Sequence, residues 1–216
     1  MKSKRGVSNI QKFSGDTLIF DLGGVVEFYD QKIAAKKLAP VLNVPEKKIS
    51  EILSSNTNKF INAMEKGQSS RVYLKILAEE LNIKKVPYKI FKKAWESIFW
   101  ANKDLILLLC LLKRKYHLIL LSNLGKIHKN YLSRQYHLSY LFEKRFFSYK
   151  MHVRKPDKEI FNLTLKKLKL NPQQVLFIDD KIENIQGAKK LGIPSILFKN
   201  NKDLIEQLTK RGVSFK

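Results

Sequence analysis

Hydrophobic positions along this chain follow two different rhythms. Short apolar runs closed by polar residues predict strands at Thr17-Leu18-Ile19-Phe20, His117-Leu118-Ile119-Leu120-Leu121, Val175-Leu176-Phe177-Ile178 and Ser195–Phe198, with a weaker strand near Arg145–Ser148. From Gln31 to about Ile98 the period changes. Ile49, Ile52 and Leu53, and then Val72, Ile76, Leu77 and Leu81, recur at helical spacing. Pro45 opens one helix of this block, Gly67 closes another, and Ser69 or Ser70 caps the next. Beyond it, helices are predicted over about 103–115, 126–136, 156–168 and 182–191, the last ending at Gly192, and one more helix closes the chain.

Strands alternating with helices imply an α/β fold with a doubly wound parallel sheet. The helical block after the first strand reads as an inserted all-helical cap. The expected division is a Rossmann-like core over 15–30 and 99–216, a cap over 31–98, and a loose basic tail over 1–14. Leu105 to Leu112 is the most hydrophobic stretch. It is too short to span a bilayer and runs straight into Lys113, Arg114 and Lys115, so it reads as a buried helix.

Composition narrows the class. At 216 residues the chain is long enough for a sizeable core without disulfides or structural metal. A single cysteine, Cys110, excludes an internal disulfide framework and a cysteine-based zinc cluster. It fits a reducing, cytoplasmic setting and reads as a buried core thiol. The N-terminus has positive charge but no apolar run of signal-peptide length behind it. Forty-two Lys and Arg against 19 Asp and Glu leave a formal charge of +23. Such a surface attracts anions, nucleic acid among them. The basic residues are mostly lysines spread along the whole chain, which is not the pattern of base-reading arginines.

The candidate chemistry lies at strand ends, where open α/β sheets bind ligands. Asp21, the pair Ser122-Asn123 and the pair Asp179-Asp180 each follow a predicted strand, and Lys155-Pro156 lies between the last two pairs. In a parallel sheet all three ends leave one edge. Asp21 precedes a sharp Gly23-Gly24 turn, which leaves its carboxylate open for nucleophilic attack. Asp179 and Asp180 supply hard oxygens of the kind Mg²⁺ takes together with substrate phosphate. Ser122 offers a hydroxyl, and Lys155 a fixed positive charge for the charge that develops in phosphoryl transfer. His128, six residues after Ser122, reads first as structural, with lining such a site as its second reading. His117, His137 and His152 read as structural or exposed, and Trp95 and Trp100 as packing where cap meets core.

The stretches FDLGGVV (20–26), LLSN (120–123), RKPDKEIF (154–161) and FIDDKIENIQGAKKLGI (177–193) resemble the haloacid dehalogenase-like hydrolase superfamily, in its subfamily with inserted helical caps. Within it the first motif is similar to that of bacterial sugar-phosphate phosphatases of the FDLGNV or FDLGGV type, such as the α-D-glucose-1-phosphate phosphatase group. The resemblance implies a Mg²⁺-dependent phosphatase acting on a small phosphorylated metabolite. It makes Asp21 the nucleophile, gives phosphoryl binding to Ser122, Asn123 and Lys155, and gives metal binding to Asp21, Asp180 and the Gly23 carbonyl. Asp179 and Asn184 would support these, Asn184 by holding a metal-bound water or Lys155. One departure stands out. Most phosphatases of the superfamily carry a second aspartate two residues after the nucleophile, to protonate the leaving group and activate water. Here that position is Gly23, so the acid/base role is unassigned, and a slower enzyme or one favouring good leaving groups is expected. Two other readings are a dehalogenase, which the acidic pair 179–180 opposes, and a non-catalytic polyanion- or RNA-binding protein.

Overall fold

The computed structural model describes residues 12–55 and 58–215. β1 (Thr17–Phe20) is followed by β2 (Glu27–Tyr29). Five helices come next: α1 (Gln31–Leu42), α2 (Glu46–Ser54), α3 (Lys59–Glu65), α4 (Ser70–Leu81) and α5 (Tyr88–Glu96). β3 (Phe99–Ala101), α6 (Lys103–Leu112) and β4 (His117–Ser122) lead to a 3₁₀ turn at Lys126–His128. Then come α7 (Lys129–Arg134), α8 (Tyr136–Leu141), β5 (Lys144–Phe147), α9 (Ser148–Met151) and α10 (Lys158–Leu168). A second 3₁₀ turn at Pro172–Gln174, β6 (Val175–Asp179), α11 (Ile182–Lys189), β7 (Ser195–Leu197) and α12 (Asn201–Lys210) complete the chain.

The main sheet is parallel throughout, in the order β5-β4-β1-β6-β7. Helices cover both faces, which is why its central strands are continuously apolar rather than alternating. Leu18, Phe20, Leu118, Leu120, Leu176 and Ile178 pack on one face; Ile19, Ile119, Leu121, Val175 and Phe177 pack on the other. Helices α1–α5 share a separate core built on Leu38, Ile49, Leu53, Phe60, Leu77, Phe91 and Trp95. Polar caps punctuate that block. Asp30 accepts from the Lys32 N–H and Asn58 from the Ile61 N–H, both at 2.9 Å. Asn43 and Asn82 close α1 and α4 in the left-handed conformation, where a short polar side chain is tolerated.

Several elements differ from the sequence reading. β2 and β3 pair antiparallel, with Phe28 opposite Trp100 and Tyr29 opposite Phe99, at the entry and exit of the helical block. Three-residue strands leave too short a period to detect. The helix predicted over 126–136 is instead a 3₁₀ turn followed by two short helices. α6 is not buried all round: Leu105, Leu109 and Leu112 form its inner face, while Leu107 is 68% exposed. Cys110 on the same helix is only partly buried. The tail expected over 1–14 is docked before its end, because Phe13 packs on the core and its N–H donates to the Arg211 carbonyl. Residues 1–11 lie outside the described residues. Glu27 was not singled out. It is fully buried, and it accepts from the Tyr131 hydroxyl at 2.9 Å and pairs with His137 at 2.7 Å. No described helix is long and apolar enough to cross a membrane.

Candidate active site

Register brings the strand ends together. Phe20 lies opposite both Leu120 and Ile178, so Asp21, Ser122 and Asp179-Asp180 emerge from one edge of the sheet. Carboxylate oxygens of Asp21, Asp179 and Asp180 come within 4.8 Å of one another. Lys155 is buried among them. Its Nζ lies 2.9 Å from Asp21 Oδ1 and 2.5 Å from Asp179 Oδ2, and donates to the Leu121 carbonyl at 2.9 Å.

The three carboxylates are bonded very differently. Asp179 is saturated: besides Lys155 it accepts from the Lys181 N–H at 2.9 Å and from the Asn184 amide at 2.9 and 3.0 Å. Asp21 Oδ1 accepts from the Leu22 N–H at 2.6 Å and from Lys155, which leaves Oδ2 without a hydrogen bond among the described residues. Asp180 Oδ1 is buried with no hydrogen-bond partner among the described residues. Burial pushes the Asp21 carboxyl up, against the pull of Lys155. Burial, with Asp21 and then Asp179 adding to it, pushes Asp180 up to about 7. Two carboxylates with open oxygens, crowded and short of positive charge, form a hard-oxygen site that suits Mg²⁺.

Asn123 and Asn184 act otherwise than the sequence suggested. The Asn123 side chain donates to the Lys155 carbonyl and accepts from the Lys155 N–H, both at 2.9 Å. It therefore fixes the lysine's backbone through one amide hydrogen and the amide oxygen. Asn184 directs its amide to Asp179 rather than to Lys155. The Ser122 hydroxyl lines the cavity and has no hydrogen bond among the described residues. The missing side chain at 23 is replaced by a ring: a Cβ built on Gly23 would stand 3.0 Å from Tyr29 Cε1.

A cavity of about 70 Å³ is lined by Asp21, Ser122 and Lys155 together with Tyr29, Glu65, Trp95, Phe99 and His128. His128 thus does line the site. Glu65, Arg154 and Tyr29 were not assigned a role from the sequence. Glu65, at the end of α3, pairs with Arg154 Nε at 2.7 Å, and Arg154 also donates to Asn62 at 2.6 Å. The Ser148 hydroxyl donates to the Glu65 carbonyl at 2.7 Å. These contacts join the helical block to the segment that leads into Lys155. Nothing in local spacing announces them, although Arg154 stands directly before Lys155.

The fold and this edge together place the chain in a known class. It belongs to the haloacid dehalogenase-like hydrolase family, whose model matches residues 16–192. Among individual proteins it is similar to the D-ribitol-5-phosphate phosphatase of Bacteroides thetaiotaomicron, 25% identical over 201 residues, which are 89% of this chain and 96% of the relative. A haloacid dehalogenase-family enzyme of the same bacterium has been solved as an aspartate-to-alanine variant with magnesium and inorganic phosphate. It superposes with a TM-score of 0.76 at 27% identity, over 89% of this chain and 99% of that one. A shorter match, 38% identical over 69 residues, is to drimenol cyclase of Aspergillus calidoustus; it takes in 32% of this chain and 13% of the cyclase.

Proposed function

We propose that this chain is a Mg²⁺-dependent phosphatase that hydrolyses a small phosphomonoester through an aspartyl-phosphate on Asp21. One observation carries the reading: at the carboxyl edge of a parallel sheet, Asp21 keeps one carboxylate oxygen free beside an unpartnered Asp180 oxygen. Asp21 Oδ2 attacks phosphorus, and the bond from phosphorus to the alcohol oxygen breaks. Water then attacks the phosphorus of the aspartyl-phosphate, which frees the carboxylate and releases inorganic phosphate. Lys155, held by Asp179 and by the Asn123 clamp on its backbone, fixes Asp21 and offsets the charge on the transferring group. The Ser122 hydroxyl and the Asn123 N–H hold phosphoryl oxygens. Asp21, Asp180 and the Gly23 carbonyl would hold the metal. When bound, Mg²⁺ shields the repulsion between the Asp21 carboxylate and the incoming phosphate dianion.

The named relatives support this reading. One acts on D-ribitol 5-phosphate, and another was solved with magnesium and phosphate. Gly23 offers no acid, so the proton for the leaving oxygen comes from elsewhere.

The test is hydrolysis of p-nitrophenyl phosphate by the wild type and by Asp21→Asn, each with Mg²⁺ and with a chelator. Release by the wild type alone, and only with Mg²⁺, is expected. Halide release from 2-haloacids that survives chelation would replace the reading with a dehalogenase. Salt-resistant RNA binding without any hydrolysis would replace it with a polyanion-binding protein.

A further inference from the structure

We propose that Trp95 and His128 form a donor–acceptor pair that binds a hydroxyl group of the leaving alcohol. This rests on the phosphatase reading above and concerns the aromatic lining of the cavity. Both rings line that cavity and both are buried, Trp95 at 3% and His128 at 2% exposure. Packing fixes them. Trp95 stacks on Phe91 with centroids 5.5 Å apart and meets Phe60 edge-on at 6.2 Å. His128 meets Phe99 edge-on at 5.2 Å, and the centroids of Trp95 and His128 are 6.1 Å apart.

The hydrogen-bonding roles follow from chemistry. His128 Nδ1 lies 3.2 Å from the Gly125 carbonyl, which can only accept. The ring proton therefore sits on Nδ1, and Nε2 presents a bare lone pair. Burial lowers the His128 pKa to about 4, consistent with this neutral form. Indole Nε1 can only donate. Both Trp95 Nε1 and His128 Nε2 are buried and have no hydrogen-bond partner among the described residues.

Buried polar atoms are almost always paired, because leaving one unpaired is costly. Two of them, of opposite kind, on tilted rings 6.1 Å apart that line one cavity, specify their occupant. It must accept from the indole and donate to the imidazole. A hydroxyl does both. A phosphate dianion or carboxylate cannot donate, an ammonium cannot accept, and a hydrocarbon does neither. The pair therefore reads a polyhydric alcohol and rejects its deoxygenated analogue.

The test compares kcat/KM for ribitol 5-phosphate and for pentyl phosphate, which share chain length and the primary phosphate and differ in hydroxyls. The wild type should prefer the first by about 100-fold or more, as sites built around a substrate hydroxyl do. His128→Phe and Trp95→Phe should each cut that preference at least about tenfold, the size of one such hydrogen bond. His128→Gln, whose amide oxygen accepts, should retain more of it than His128→Phe. Variants that slow both substrates by the same factor overturn the proposal. A second readout needs no turnover. In Asp21→Asn protein, the Trp95 indole N–H resonance, told from that of Trp100 with Trp100→Phe, should move with ribitol 5-phosphate and not with pentyl phosphate. A resonance unmoved by saturating ribitol 5-phosphate overturns it. Should the wild type hydrolyse neither ester, the phosphatase reading falls, and the indole resonance still decides the subsite.

Discussion

The two walls of the cavity are built on opposite terms. The strand-edge wall is charged and crowded: oxygens of three carboxylates lie within 4.8 Å of one another, and Lys155 binds two of the three. The other wall is aromatic and packed like a core: Phe60 and Phe91 hold the Trp95 ring from behind, and Phe99 stacks on Tyr131 and meets His128 edge-on. The first wall keeps its charges together against their mutual repulsion. The second is stable by ordinary packing and leaves only isolated polar atoms unpaired. Chemistry and stability should therefore come apart when the first wall is altered, and selectivity and stability should move together when the second is.

Asp21→Asn gives the largest effect. It removes the proposed nucleophile, so kcat should fall on the order of 10⁴-fold or more. It also removes one of three crowded carboxylates and leaves Lys155 paired with Asp179, so the melting temperature of the metal-free protein should hold or rise. A fall in both activity and melting temperature would contradict this contrast. Lys155→Met comes next and has the opposite sign on stability. Lys155 is 1% exposed, and its loss strands two buried carboxylates. Breaking a buried pair from one side costs about 3–5 kcal/mol. Urea unfolding should show a loss of that order, partly recovered when Mg²⁺ is added.

On the aromatic wall, His128 supplies a pH signature of its own. Its pKa in the fold is lowered from 6.5 to about 4 by burial. The unfolded chain therefore binds the extra proton first as pH falls. The fold is at full strength above pH 6.5 and loses stability down to about pH 4, by up to about 3 kcal/mol for this group. His128→Phe lacks that loss. Its stability relative to wild type should rise between pH 7 and pH 4.5, and a difference that stays constant over this range would count against the buried neutral imidazole.

The strand-edge wall was legible in the sequence because each part coincides with a local signal. An apolar run ends in Asp21, in Ser122 or in Asp179-Asp180, and parallel topology then places the ends side by side. The aromatic wall was not. Tyr29 and Phe99 meet through a pair of three-residue strands, 70 positions apart in the chain, which carry no readable period. Glu65 finds Arg154 only once the helical block folds against the segment before Lys155. Asn123 illustrates the limit even at a legible motif. Its residue type and position suggested a phosphate ligand, but its amide is taken by the backbone of a residue 32 positions away.

Two adjacent glycines give the finest test of the contrast, because each faces a different wall. Gly24 sits at φ +80°, and a Cβ there would run into the Asp180 carboxylate. Gly24→Ala must therefore strain the backbone, by about 1–2 kcal/mol, and displace a carboxylate that the proposed metal site needs. The Mg²⁺ concentration for half-maximal activity should rise severalfold. A Cβ on Gly23 meets only the Tyr29 ring, 3.0 Å from Cε1. The ring must shift by a few tenths of an ångström within a packed wall, at a cost of about 1 kcal/mol, the low end for overpacking. Gly23→Ala should therefore act on KM for the phosphoester more than on the Mg²⁺ requirement, and more weakly than its neighbour. Titrating both variants with Mg²⁺ at fixed substrate, and then with substrate at saturating Mg²⁺, separates the two. If Gly23→Ala raises the Mg²⁺ requirement as much as Gly24→Ala does, the walls are not independent, and Tyr29 is coupled to the carboxylates through the Asp21–Gly24 turn.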